Sequence, residues 1–286
     1  MKLVLGTVQF GLNYGINNSG GKPSPEVAFG ILNRAYDLGI RELDTAEAYG
    51  NSTEVIADYL SQKPEHKFTI MSKFIGEGKT TFQESFEKSC KNLSINYLDG
   101  YYFHRFTDFV AFKEFDYVRS LKAQGKLGKL AVSLYSNEEL EIAANSKEVD
   151  VIQLPFNIFD RSDIKIALLK KAQANNKLIY IRSAFLQGLF FKDLATLPSK
   201  LQPLKPALSQ LHEFVKQNHL NMEDLCLKFV AGQSCVDKII IGVDSIEQLE
   251  KNERSMKANI SDDLLKEVLK IKIEYPELLN PVNWNN

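Results

Sequence analysis

The chain is poor in the features that mark secreted, membrane-spanning or nucleic-acid-binding proteins. It has only three cysteines in 286 residues, Cys90, Cys226 and Cys235. Their number is odd and no C-x-x-C pair occurs, so reduced core thiols are expected rather than a disulfide framework. No apolar run approaches the roughly 20 residues of a membrane span. The opening MKLVLGTVQFG has one lysine and then a short strand-like stretch broken by glycines, unlike a secretory signal. A formal net charge of -1 gives no electrostatic case for nucleic acid or an anionic membrane. His66, His212 and His219 are scattered without partners at ligand spacing, so no metal site is expected. The segment GEGKTT (76–81) resembles the end of a P-loop, but the first glycine of that motif would fall on Lys73. A cytoplasmic setting fits all of these absences.

Short β-rich runs alternate with amphipathic helical ones from end to end. The strand-like runs are LVLGTV (3–8), GIRELD (39–44), KFTIMSKF (67–74), LDGYYFH (98–104), KLAVSL (129–134), DVIQLPF (150–156), LIYIRSAF (178–185) and KIIIGV (238–243). Helical patterns fill the gaps at 25–39, 81–93, 112–125 and 162–176. Two more lie at 203–218 and 221–231, and two follow the last strand at 245–256 and 261–271. No linker or change of composition divides the chain, so residues 1–286 are expected to form one α/β domain. Eight β/α units fit a closed (β/α)8 TIM barrel. The competing open sheet would place a G-x-G-x-x-G after its first strand. GTVQFGLNYG fails that spacing.

Three polar residues close successive strand-like runs: Asp44, Lys73 and His104. The spacings are 29 and 31 residues, about one strand–helix–strand unit. Each side chain is therefore expected at the same height, at the carboxyl end of its strand, where barrel enzymes carry their chemistry. Tyr49 follows on the loop after strand two. An ammonium beside a phenol favours the phenolate, so Lys73 is expected to lower the Tyr49 pKa from about 10. Asp44 would hold Lys73 charged, and His104 could donate to a substrate carbonyl. Such a set suits carbonyl reduction, where a developing alkoxide must be protonated. Taken singly, Asp44 reads equally as a helix cap, Tyr49 as an ordinary aromatic and Lys73 as a structural partner of Asp44.

These residues and their order resemble the aldo-keto reductase family, its bacterial branch in particular. LDTAEAYG is similar to the family's D-T-A-x-x-Y-G, SK at 72–73 to its strand-three lysine, and FHRF at 103–106 to its strand-four histidine. The resemblance implies an NAD(P)H-dependent oxidoreductase that reduces an aldehyde or ketone to an alcohol. In it Tyr49 is the general acid, Lys73 its pKa partner, Asp44 the residue orienting Lys73, and His104 the residue orienting the carbonyl. It also implies cofactor contacts at Gly6, Thr7 and Asp44. Ser133 and Gln153 would meet the nicotinamide carboxamide, and Ser183, Leu186 and Gly188 the pyrophosphate. Gly242, Ser245, Gln248 and Asn252 lie on the strand-eight loop, where Ser245 and Gln248 have the form of a capping box and a helix N-terminus suits an anion.

Two departures from the family pattern stand out. The asparagine that usually follows the serine is Leu134, and the ring that usually stacks on the nicotinamide is replaced by Arg182. A guanidinium can stack on a ring, but it disfavours the positively charged oxidised nicotinamide. Family habit puts NADP(H) ahead of NAD(H), although the strand-eight loop offers Asp244, with Lys251 and Arg254 only nearby. Phe10, Tyr14, Phe106, Phe156 and Trp284 are expected as pocket walls, with Asn13 and Asn157 as polar neighbours suited to a small, sugar-like carbonyl substrate. The alternatives are a Schiff-base lyase using Lys73 and a cofactor-binding regulatory subunit with vestigial activity.

Overall fold

Each of the eight strand-like runs forms a strand in the computed structural model, which describes residues 2–18, 20–76 and 80–284. The strands are β1 (Leu3–Gly6), β2 (Glu42–Asp44), β3 (Thr69–Phe74), β4 (Leu98–Phe103), β5 (Leu127–Ser133), β6 (Val151–Pro155), β7 (Leu178–Arg182) and β8 (Lys238–Gly242). They pair in sequence order, all parallel, and β8 pairs with β1 to close the ring. The fold is the expected (β/α)8 barrel, which leaves no sheet edge open. Residues 77–79 of the GEGKTT segment lie outside the described residues.

The helices are α1 (Val8–Gly11), α2 (Pro25–Asp37), α3 (Ser52–Gln62), α4 (Phe82–Leu93), α5 (Phe106–Ala111), α6 (Phe115–Ala123), α7 (Asn137–Asn145), α8 (Asp163–Ala174), α9 (Lys205–Gln217), α10 (Met222–Ala231), α11 (Ile246–Ser255) and α12 (Asp262–Val268). Local chemistry fixes where many of them begin. Ser24, Ser162, Ser245 and Ser261 each accept a first-turn amide, and Thr81 with Glu84 and Ser136 with Glu139 form full capping boxes. Such caps are worth about 1 kcal/mol each. The run expected to be helical over 203–218 starts later, at Lys205, because Pro203 sits in a preceding 3-10 turn (Ser199–Leu204). Pro206 falls in the first turn of α9, where its missing N–H is tolerated.

The pleat sorts the strand residues into two cores. One set points inward, and Val4, Met71, Tyr102, Ala131, Val151 and Tyr180 fill the barrel. Toward the amino end of the strands, Lys238 pairs with buried Glu42 at 2.9 Å. The other set, Leu5, Leu43, Ile70, Phe103 and Ile152 among them, packs outward against the helices. All three cysteines are free thiols, and burial raises the pKa of each. Among the described residues no helix is long and apolar enough to cross a membrane.

Candidate active site

The loop after β2 is held on three sides. Beneath it, Ser52 Oγ donates to Thr7 O at 2.9 Å and contacts Thr7 Oγ1 at 2.8 Å and Thr45 Oγ1 at 3.2 Å. Outward, the Glu47 carboxylate accepts from Tyr101 OH at 2.9 Å, from Ser89 Oγ at 3.0 Å and from Ser85 Oγ. Laterally, α1 presses on the loop. A Cβ on Gly11 would stand 1.6 Å from the Tyr49 carbonyl oxygen, so only glycine permits the approach. Gly50 has φ +55° and its own Cβ would meet Gly11 O at 2.4 Å. Tyr49 sits between these anchors.

Its hydroxyl is 3.1 Å from Lys73 Nζ. The same ammonium donates to Asp44 Oδ1 at 2.5 Å and to Thr45 O at 2.9 Å, so all three of its N–H bonds have acceptors. Lys73 is fully buried and Asp44 is 3% exposed. The second carboxylate oxygen of Asp44 accepts from Gln153 Nε2 at 2.7 Å. His104, whose backbone N–H donates to Phe74 O at 2.8 Å, faces Tyr49 edge to face with ring centroids 5.9 Å apart.

The register corrects one expectation. The three polar groups are not level: Asp44 lies beside Met71, Lys73 beside Tyr102, and His104 follows the end of β4. The long lysine stem reaches down to Asp44 and brings the groups together. A second correction concerns acidity. The Tyr49 pKa is raised well above the ordinary phenol range, by burial first and then by the Asp44 charge, with Arg182 opposing. Burial also lowers the Lys73 pKa, and Asp44 opposes that shift. The His104 pKa is pulled to about 3, first by burial and then by Lys73, Arg182 and Arg105. Tyr49 is therefore a protonated phenol and His104 a neutral imidazole at neutral pH.

Two adjoining cavities meet at this point. The first, about 360 Å³, runs from Tyr49 and Asp44 past Gly6, Thr7, Gln153, Arg182, Ser183 and Gly188 to Gly242, Gln248 and Asn252. The second, about 600 Å³, opens over Tyr49 and His104 and is bounded by Ser133, Asn13, Tyr14 and Trp284. Tyr49, Gln153 and Arg182 border both. Lys73 lines neither and works from beneath.

Several expected contacts stand elsewhere. Leu186 is fully buried in the outer core, and its part in the loop is its left-handed backbone, φ +48°. Ser245 caps α11, but its partner is shifted by one residue. Gln248 Oε1 accepts from Asp244 N at 2.8 Å rather than from the cap residue. Phe10 is buried core, and Phe156 is buried and stacked on Phe229 at 5.5 Å. Asn157 is buried and braces its own turn, accepting from Phe159 N and Asp160 N at 3.0 Å. Phe106 packs against the outer core.

Sequence reasoning named Thr7, Asn13 and Tyr14 of the segment after β1 but missed three of its other residues. This segment also brings Gln9, Asn17 and Asn18 to the first cavity. Ile16 N donates to Gln187 O at 3.1 Å, and Asn18 Nδ2 lies 3.3 Å from Asp244 Oδ1, so this loop spans to those after β7 and β8. The polar run LNYGINNSG directly behind the first strand was the available signal.

A dinucleotide fits the first cavity on two observations. The lining runs from Tyr49 to Gln248 in the first turn of α11, whose N-terminus Ser245 caps, and Gln9 Oε1 is a buried acceptor with no partner among the described residues. A positive helix terminus favours phosphate.

Comparison with known proteins agrees with this geometry. Residues 2–273 match the Aldo/keto reductase family. Over 264 residues the chain is 24% identical to the uncharacterized oxidoreductase YqkF of Bacillus subtilis, covering 81% of this chain and 82% of the relative. It is 25% identical over 268 residues to L-glyceraldehyde 3-phosphate reductase of Escherichia coli, covering 79% and 78%. A solved structure described as "the putative aldo-keto reductase" of Pseudomonas aeruginosa superposes with a TM-score of 0.65 at 25% identity, over 89% of each chain. With eight parallel strands closed in order and the matched segment spanning nearly its whole length, the chain belongs to the aldo/keto reductase family of oxidoreductases.

Proposed function

We propose that the protein reduces an aldehyde or ketone to an alcohol at the expense of a nicotinamide cofactor, with Tyr49 as general acid. The observation that carries this reading is the 3.1 Å contact between Tyr49 OH and Lys73 Nζ at the wall common to both cavities. When bound, the reduced cofactor supplies a hydride to the carbonyl carbon. Tyr49 donates its proton to the oxygen that becomes alkoxide, and Lys73 stabilises the phenolate left behind. Asp44 holds Lys73 in place by its ion pair. Neutral His104 donates a ring N–H to the carbonyl oxygen and orients it.

In the first cavity, Gln153 gives one amide N–H to Asp44. Its oxygen is free to accept from a carboxamide, beside Ser133. Arg182 faces the nicotinamide ring, Ser183 and Gly188 the pyrophosphate, and Gln248 and Asn252 the adenosine. NADP(H) is the proposed cofactor, with Lys251 of the cavity wall as counter-charge to the extra phosphate. Asp244 and Glu223 on the same wall favour the second reading, NAD(H), because a carboxylate repels a phosphate and accepts a ribose hydroxyl. A small, hydroxylated, sugar-like carbonyl compound is the proposed substrate, and a cytoplasmic setting suits the three free thiols. The Schiff-base alternative is weakened by the burial of Lys73 and its pairing with Asp44.

The test is oxidation of NADPH and NADH over a panel of aldehydes, ketones and sugars. Tyr49→Phe is expected to lower kcat by about 10²–10⁴-fold with cofactor affinity retained. Undiminished turnover in that variant would overturn the assignment.

A further inference from the structure

We infer that the second cavity takes a carbonyl compound bearing an oxyanion, a carboxylate or a phosphate, held by the guanidinium of Arg182. The inference rests on the reductase reading for the carbonyl and adds the charge of its substrate. Arg182 closes β7 and borders both cavities. One face of its guanidinium covers the Tyr135 ring, with the central carbon 4.2 Å from the centroid. One N–H points to Leu134 O at 3.4 Å, a long contact. A guanidinium carries five in-plane donors, so stacking on a ring leaves its other edges available. Among the described residues no carboxylate pairs with it, and a half-buried cation without a counter-charge is unfavourable.

The cavity walls carry the same sign. No aspartate or glutamate lines the second cavity among the described residues, while Lys200 joins Arg182 there. His104 is held neutral by burial first, and Lys73, Arg182 and Arg105 add to that effect. A planar fork matches the two oxygens of a carboxylate or phosphate. Because Tyr49 and Arg182 share one wall, the anion and the carbonyl belong to the same short molecule, with the oxyanion a few bonds from the reacting carbon.

The experiment compares kcat/KM for matched pairs with the full chain and NADPH: succinic semialdehyde against butanal, and glycolaldehyde phosphate against glycolaldehyde. A charge-assisted contact predicts a preference of about 10- to 100-fold for the anionic member of at least one pair. The pair that shows it separates carboxylate from phosphate. Within each variant the anionic-to-neutral ratio is the readout, so any general loss of activity cancels. Arg182→Met is expected to bring the ratio to about 1, and Arg182→Lys to keep part of it. Equal kcat/KM within both pairs for the unaltered protein, or an undiminished preference in Arg182→Met, overturns the inference. Trp284, the only tryptophan, lines the cavity, and its fluorescence gives an independent arm. Succinate or inorganic phosphate is expected to give a saturable change that Arg182→Met abolishes. Reduction of neutral aldehydes without anion preference would sink this inference alone. A saturable anion response with no turnover of any carbonyl would sink the reductase reading and leave the anion site standing.

Discussion

Lysine 73 is the residue whose removal separates the architecture of the site from its chemistry. Lys73→Met keeps most of the buried stem and deletes the ammonium. Asp44, at 3% exposure, is then left with a single side-chain donor, Gln153 at 2.7 Å. Deleting one partner of a buried ion pair destabilises by about 3–5 kcal/mol, a large share of a typical total of about 5–15 kcal/mol. Asp44→Asn leaves the converse problem, a buried ammonium with only Thr45 O and Tyr49 OH as acceptors from the original set. The double variant Asp44→Asn/Lys73→Met carries neither charge, so most of the penalty disappears. Urea denaturation of the four proteins should give a coupling energy of at least about 3 kcal/mol, the double variant being no worse than either single one. Reductase turnover should stay about 10²–10⁴-fold down in Lys73→Met and in the double variant, because the proton donor has lost its stabilising cation in both. Stability returns and activity does not. Additive destabilisation would refute the pairing, and near-normal turnover in Lys73→Met would refute the role given to the ammonium.

Three further perturbations address the support of the site. Gly11→Ala places a methyl 1.6 Å from the Tyr49 carbonyl oxygen, so it should displace the β2 loop, destabilise by at least about 1–3 kcal/mol and suppress turnover. Gly20→Ala, whose nearest neighbour would be 3.9 Å away, is the control in the same denaturation and activity assays. Glu47→Ala removes the acceptor shared by Tyr101, Ser89 and Ser85 and should cost about 1–3 kcal/mol. It should lower kcat while leaving cofactor affinity, read by fluorescence titration, close to normal. The His104 pKa of about 3 lies below its ordinary 6.5, so between these values the unfolded chain binds the extra proton. Stability from this group is complete above pH 6.5 and falls as the pH drops toward 3. His104→Gln should flatten that dependence, by on the order of 1–2 kcal/mol between pH 7 and pH 5, as measured by denaturation at the two pH values.

Much of the fold was legible because each signal was local. Alternating β-rich and amphipathic runs set the eight units, and Ser245 announced a helix start that the structure keeps. The meeting of Asp44, Lys73 and His104 was legible because they close consecutive strand-like runs, with Tyr49 on the loop after the second. The loops were harder. Ser183, Leu186 and Gln187 all take positive φ, and no residue type in RSAFLQG except glycine signals that conformation. Phe10 and Phe156 read as pocket walls, since periodicity does not tell an aromatic that faces the barrel mouth from one that faces the helices. The acidity of Tyr49 failed for a different reason. A neighbouring ammonium is visible in a sequence motif, whereas the depth of burial that outweighs it belongs to the assembled barrel.

The unequal heights of Asp44 and Lys73 explain why the motif needs a lysine there. Closing eight tilted strands forces a stagger between neighbours, and the register β2–β3 sets Asp44 beside Met71, two residues below Lys73. A strand rises about 3.3 Å per residue, so the two α-carbons are offset by roughly 6–7 Å along the strand direction. A short cationic side chain on β3 would leave that gap open. The four-carbon stem of lysine spans it, and its compact ammonium satisfies Asp44, Thr45 and Tyr49 at once. Arginine has the reach, but its planar fork cannot present donors to three acceptors disposed around a point. The stagger that closes the barrel thus selects both the length and the head group of the residue beneath the phenol.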